Sequence, residues 1–137
     1  MRVVAAMLVM AGLIGASAAV AQEQPAGSTE FMVFFDWGKP EVRGDDGATL
    51  DKAAEAWRAR PGARLSLAGH TDRSGDPGTN RRAGLARAAI VRSELEKRGI
   101  PGNAMRIASF GEGRPLVPTE DGVREVQNRR VVIAFEE

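Results

Sequence analysis

The chain has no cysteine and only one histidine, His70. Without cysteine there can be no disulfide framework, and there is no N-terminal cysteine on which a lipid could be placed. A lone imidazole with no thiol does not supply the nitrogen and sulfur ligands of a metal site. It also leaves a catalytic His-Asp couple dependent on a nucleophile placed by the fold, and none of Ser66, Ser74 and Ser109 sits in a nucleophile elbow. No catalytic residue, metal or cofactor is therefore expected.

Long apolar runs are scarce too. Val3 to Ile14 is the single one, preceded by Arg2 and followed by Ala19-Val20-Ala21. This order of charge, short apolar stretch and A-x-A site reads as a signal peptide over residues 1–21. The run is short for a membrane span, which needs about 20 apolar residues. A short polar leader over 22–30 and one domain over 31–137 would remain, with no membrane span. Removing 1–21 takes away one basic residue of the 19 and none of the 18 acidic ones. The charges then balance, which excludes the electrostatic footprint of a nucleic-acid binder or of a protein drawn to anionic membranes.

What is present reads as alternating strands and helices. Phe31–Phe35 is an apolar run with the length of a buried strand. Thr49 stands as a cap before a helix with Leu50, Ala53, Ala54 and Trp57 on one face. Arg64–Ala68 alternates like a strand. Asp76-Pro77 opens a second helix with a buried stripe of Gly84, Ala88, Val91 and Leu95, and Gly99 with Pro101 stops it. Arg106–Phe110 and Arg130–Phe135 are further strands, and residues 119–128 have room for a short helix. The sum is a β-α-β-α-β-(α)-β domain of the α+β class, with two layers: helices packed on a mixed four-stranded sheet. Both tryptophans, Trp37 and Trp57, are expected in or near the core, and Arg81 and Arg82 on a solvated helix face.

The segment Gly69–Arg87 is the richest in chemistry. Asp72 follows a strand end, beside the start of a helix. Asn80 and Arg87 are almost two helical turns apart and point the same way. An acid and an arginine sharing one crevice complement a zwitterion, the carboxylate taking an ammonium and the guanidinium a carboxylate. The alternative is that Asp72 and Arg87 simply pair with each other. Arg129 and Arg130 point to opposite faces of the last strand, so one of them can turn towards the same crevice.

In order and spacing, several pieces resemble the OmpA-like peptidoglycan-binding domain. They are Phe35-Asp36, Gly69-His-Thr-Asp72, Gly75, Asn80, Arg87-Ala88, Gly99-Ile-Pro101, Phe110-Gly-Glu-x-x-Pro115 and Asn128-Arg-Arg-Val131. The resemblance implies non-catalytic binding of the diaminopimelate residue in the peptide stem of peptidoglycan. It places the protein in the periplasm, at the outer membrane or cell wall, with room for an envelope protein partner. It also implies that Asp72 and Arg87 grip the ligand, with Asn80, Asp36, Thr71 and Arg129 lining or supporting the pocket. Gly38, Thr79, Ala83 and Gly84 are smaller than the family's usual residues there, and are expected to widen its rim. The rival reading is a scaffold module of the same fold that has weakened or lost its hold on cell wall. A cell-wall hydrolase would need paired acids or a metal cluster in a cleft, which the sequence does not offer. Replacing either Asp72 or Arg87 by alanine is expected to remove binding and leave the fold intact.

Overall fold

The computed structural model describes residues 30–136; the expected signal peptide and nearly all of the leader lie outside the described residues. Four strands, β1 (Glu30–Phe34), β2 (Leu65–His70), β3 (Met105–Gly111) and β4 (Arg130–Phe135), form one sheet in the order β1-β4-β2-β3. β4 runs antiparallel to both of its neighbours, and β2 and β3 are parallel. A parallel pair needs a crossover, which the helix α2 (Pro77–Glu96) supplies. The helix α1 (Gly47–Arg58) links β1 to β2. The mixed sheet with its two helices agrees with the α+β expectation.

The core lies between the helices and one sheet face. Phe31 and Val33 of β1, Leu65 and Leu67 of β2, and Val131 and Ile133 of β4 are buried there at strand period two. Leu50, Ala53 and Ala54 of α1 meet them, as do Ala88, Val91 and Leu95 of α2. The predicted stripe of α2 is thus the buried one. Asp76 caps this helix, accepting from the N–H groups of Gly78 and Thr79 at 3.0 and 3.2 Å, and Pro77 follows at the first helical position. At the far end Gly99 takes φ +96°, a conformation that L side chains avoid, and the Ile100 N–H reaches back to Leu95.

Three expectations change. α1 starts at Gly47, so Thr49 lies inside it and caps nothing. Asp46 precedes the helix, but its carboxylate accepts from the Phe34 N–H at 2.8 Å instead of capping. Residues 119–128 form no α-helix, only a single 3-10 turn at Val126–Asn128. Their backbone is spent elsewhere: the Gly122 N–H donates to the Arg73 carbonyl, and the Glu125 N–H donates to the Asp72 carboxylate. Trp57 packs against the core as expected, whereas Trp37 is half exposed.

The other sheet face carries His70 and Arg130, paired across β2 and β4. The imidazole stacks on Phe110, with ring centroids 5.5 Å apart, and Arg114 lies over the other partner of that stack, 3.7 Å from the Phe110 centroid. Burial, then the charges of Arg130 and Arg114, pushes the His70 pKa down to about 4. A histidine held neutral in the fold stabilises it fully above its unfolded pKa, and this contribution falls as pH drops below that value. Melting temperature should therefore fall between pH 6.5 and 4, and fall less steeply in His70→Gln. Equal slopes for the two proteins would show that the ring is free to protonate in the native state.

Gly69 and Gly84 set how closely α2 approaches β2. A Cβ on Gly69 would collide with the Gly84 carbonyl, and one on Gly84 would sit 3.1 Å from the Gly69 oxygen as well as against the Ser109 hydroxyl. Helical Gly84, which costs about 1 kcal/mol against alanine by propensity, is thus required by packing. It abuts β2 and β3 and does not widen a pocket rim. Gly69→Ala should destabilise the fold by about 1–3 kcal/mol or more, as overpacking does, measured by urea denaturation; an unchanged midpoint would contradict the close contact.

Candidate functional site

At the ends of β2 and β4, where α2 begins, lies an open crevice of about 420 Å³. Thr71, Asp72, Asn80, Arg87 and Arg129, five of the six residues expected at the site, line it. Asp36 does not. Its carboxylate is exposed and stands 3.7 Å from the Arg43 guanidinium. The reason is local: Phe35 is buried in the core, and its successor turns outwards.

Asp72 and Arg87 share the crevice without pairing. The carboxylate is instead bound by four donors. Oδ1 accepts from the Ser74 N–H at 3.1 Å and the Ser74 hydroxyl at 2.5 Å, and Oδ2 from the Glu125 N–H at 3.1 Å and Arg129 Nη1 at 2.7 Å. Those donors fill the roughly four lone-pair sites of a carboxylate. Burial of Asp72 by itself raises its pKa, but the hydrogen bonds from Ser74, Arg129 and Glu125 together outweigh it, and the net direction is down. Arg129 also donates through Nε to the Phe35 carbonyl at 3.0 Å, while its own carbonyl accepts the Phe35 N–H at 2.9 Å. Arg130 takes the opposite face, as strand geometry requires.

Arg87 is placed by α2 and left open. Only 9% of it is exposed, yet among the described residues it has no carboxylate partner, and its hydrogen bond is a long one, 3.4 Å from Nη1 to the His70 carbonyl. The Phe35 ring lies 5.5 Å from its Cζ. Burial, then the nearby Arg129 charge, presses its pKa down, and Asp72 opposes this. Such a guanidinium is short of negative charge. Asn80, by contrast, is a prop: its amide donates to the carbonyls of Asp72 and Ser74 and to Glu112.

Sequence reasoning missed Trp37, Ser74 and Arg124. Trp37 lines the crevice, donates from Nε1 to the Ser74 hydroxyl at 3.3 Å, and carries Arg124 on its face at 3.5 Å. Ser74 alone was visible, as a polar residue two after Asp72. Gly38, Thr79 and Ala83 do line the crevice, as expected of its rim. His70, the lone imidazole, points to the sheet face away from the helices and so away from the crevice.

The two charged residues therefore differ in what their removal does. Asp72→Ala leaves Arg129 buried without its partner and should destabilise the fold by about 3–5 kcal/mol, seen as a lower urea midpoint. For Asp72, though not for Arg87, this replaces the expectation that the fold survives. A midpoint within error of wild type would show that the pair carries no structural load.

Comparison with known proteins agrees with this fold. The model of the OmpA family matches residues 34–129. A peptidoglycan-associated lipoprotein of Rhizobium meliloti is 38% identical over 130 residues, covering 89% of this chain and 71% of the relative. The structure of the peptidoglycan-associated lipoprotein from Burkholderia pseudomallei superposes with a TM-score of 0.71 at 27% identity, covering 77% of this chain and 90% of that one. The C-terminal domain of Helicobacter pylori MotB shares the fold, with a TM-score of 0.68 at 21% identity over 81% of this chain and 86% of that one. With the family model spanning most of the described residues, the chain belongs to the OmpA family.

Proposed function

We propose that the crevice binds the peptide stem of bacterial peptidoglycan at the free amino-acid end of diaminopimelate, without catalysis, in the periplasm. The observation that carries this reading is Arg87: a buried guanidinium at the wall of an open crevice, with its nearest acid committed to another arginine. A ligand carboxylate supplies the missing charge, in the bidentate geometry that a guanidinium favours. The ammonium of the same end is drawn to Asp72. It takes over the Oδ1 site now held by the Ser74 hydroxyl, whose oxygen clears it by a change of side-chain rotamer. The relatives' names point to the same polymer, and several are peptidoglycan-associated lipoproteins. Family kinship and the outer-membrane relatives support an envelope location. No helix among the described residues is long and apolar enough to cross a membrane.

The crevice gives little support to hydrolysis. Its serine donates to Asp72 with no imidazole beside it, because the chain's histidine lies across the sheet. The scaffold reading keeps one observation in its favour: Thr79 and Ala83 leave the rim open.

Arg87→Ala tests the reading. Binding of a diaminopimelate-containing tripeptide, followed by calorimetry, should weaken by about 2–5 kcal/mol. Stability should stay within about 1 kcal/mol of wild type, because loss of the contact with Phe35 is offset by relief of a buried unpaired charge. Unchanged binding by this variant, or no binding by the wild type, would contradict the proposal.

A further inference from the structure

The charges lining the crevice do not match a zwitterion alone. Three guanidinium groups, of Arg87, Arg124 and Arg129, face one carboxylate, that of Asp72. The Asp72–Arg129 pair is neutral as a unit. One ammonium and one carboxylate from a ligand end add no net charge, so Arg87 is satisfied and Arg124 is not. Among the described residues, Arg124 has no acidic partner.

Arg124 is held in place despite being exposed. Its guanidinium lies 3.5 Å from the Trp37 ring centroid, and the residue after it is tied to Asp72 through its N–H. Two residues before it, the Gly122 N–H donates to the Arg73 carbonyl at 2.8 Å. A guanidinium stacked on an indole keeps its N–H edge free for a planar anion. Its ordering cost on binding is already met in the free protein.

We propose that Arg124, stacked on Trp37, receives a second carboxylate of the peptide stem, outside the zwitterionic end. The site then selects stems that keep this carboxylate free over stems in which it is an amide. This inference rests on the peptide-stem reading above and adds to it the charge state of the ligand.

The test compares two synthetic tripeptides, L-alanyl-γ-D-glutamyl-meso-diaminopimelate and the same peptide with every carboxylate outside the zwitterionic end amidated. Each is titrated into the purified protein, read by calorimetry and by the change in tryptophan emission, with Trp57→Phe leaving Trp37 beneath Arg124 as the emitter. The wild type should bind the free acid about tenfold more tightly, the increment of one charge-assisted hydrogen-bonded contact. Arg124→Gln should abolish that preference, so that the two peptides bind it equally. Arg82→Gln, which removes an exposed charge on α2 outside the crevice, should keep the preference. Equal affinity of the wild type for both peptides overturns the proposal and leaves the peptide-stem reading standing. A preference that survives in Arg124→Gln also overturns it, and a preference lost in Arg82→Gln assigns the effect to the general field instead. Binding of neither peptide removes the parent reading and this inference together.

Discussion

The buried contact between Asp72 and Arg129 holds the site together. Arg129 reaches Asp72 at 2.7 Å and the Phe35 carbonyl at 3.0 Å, so one side chain joins the ends of β1, β2 and β4. Asp72 adds the loop before β4 through the Glu125 N–H and closes its own turn through Ser74. Two charges taken out of water are costly unless their remaining valences are met. Here the carboxylate is fully hydrogen-bonded, and that is what permits it to be buried. The same saturation leaves Arg87 without a counter-charge, although it shares the crevice. The pairing of Asp72 with Arg129 and the isolation of Arg87 are thus two sides of one arrangement.

Close packing delivers Arg87 to that place. α2 lies against β2 where Gly69 and Gly84 meet backbone to backbone. A side chain at either position would lift the helix and with it Asn80 and Arg87, which stand on the same part of α2. A residue that looks like a defect in helix propensity therefore positions Asn80 and Arg87 at the crevice.

Much of this was legible in the sequence because it is local. The cap at Asp76, the stripe of α2 and the stop at Gly99 each depend on a few neighbours, and helical spacing alone puts Asn80 and Arg87 on one side. The partner of Asp72 was not legible. Arg129 is 57 residues away, and only the register of β4 against β2 brings it close. Trp37 and Arg124 meet across the crevice for a similar reason, so the apolar character of Trp37 suggested a core position instead. The segment before Val126 looked compatible with a helix, but Gly122 at φ +81° and the donors committed to Arg73 and Asp72 hold it as a loop. Asp36 fits the family motif by position, yet its carboxylate stands beside Arg43 and does not line the crevice.

The most direct measurement is a crystal structure of the protein with a diaminopimelate-containing peptide bound. The account predicts a ligand carboxylate within hydrogen-bond distance of the Arg87 guanidinium, with the Asp72–Arg129 contact kept near 2.7 Å. A ligand seated elsewhere, or one that binds only after Arg129 has left Asp72, would contradict it.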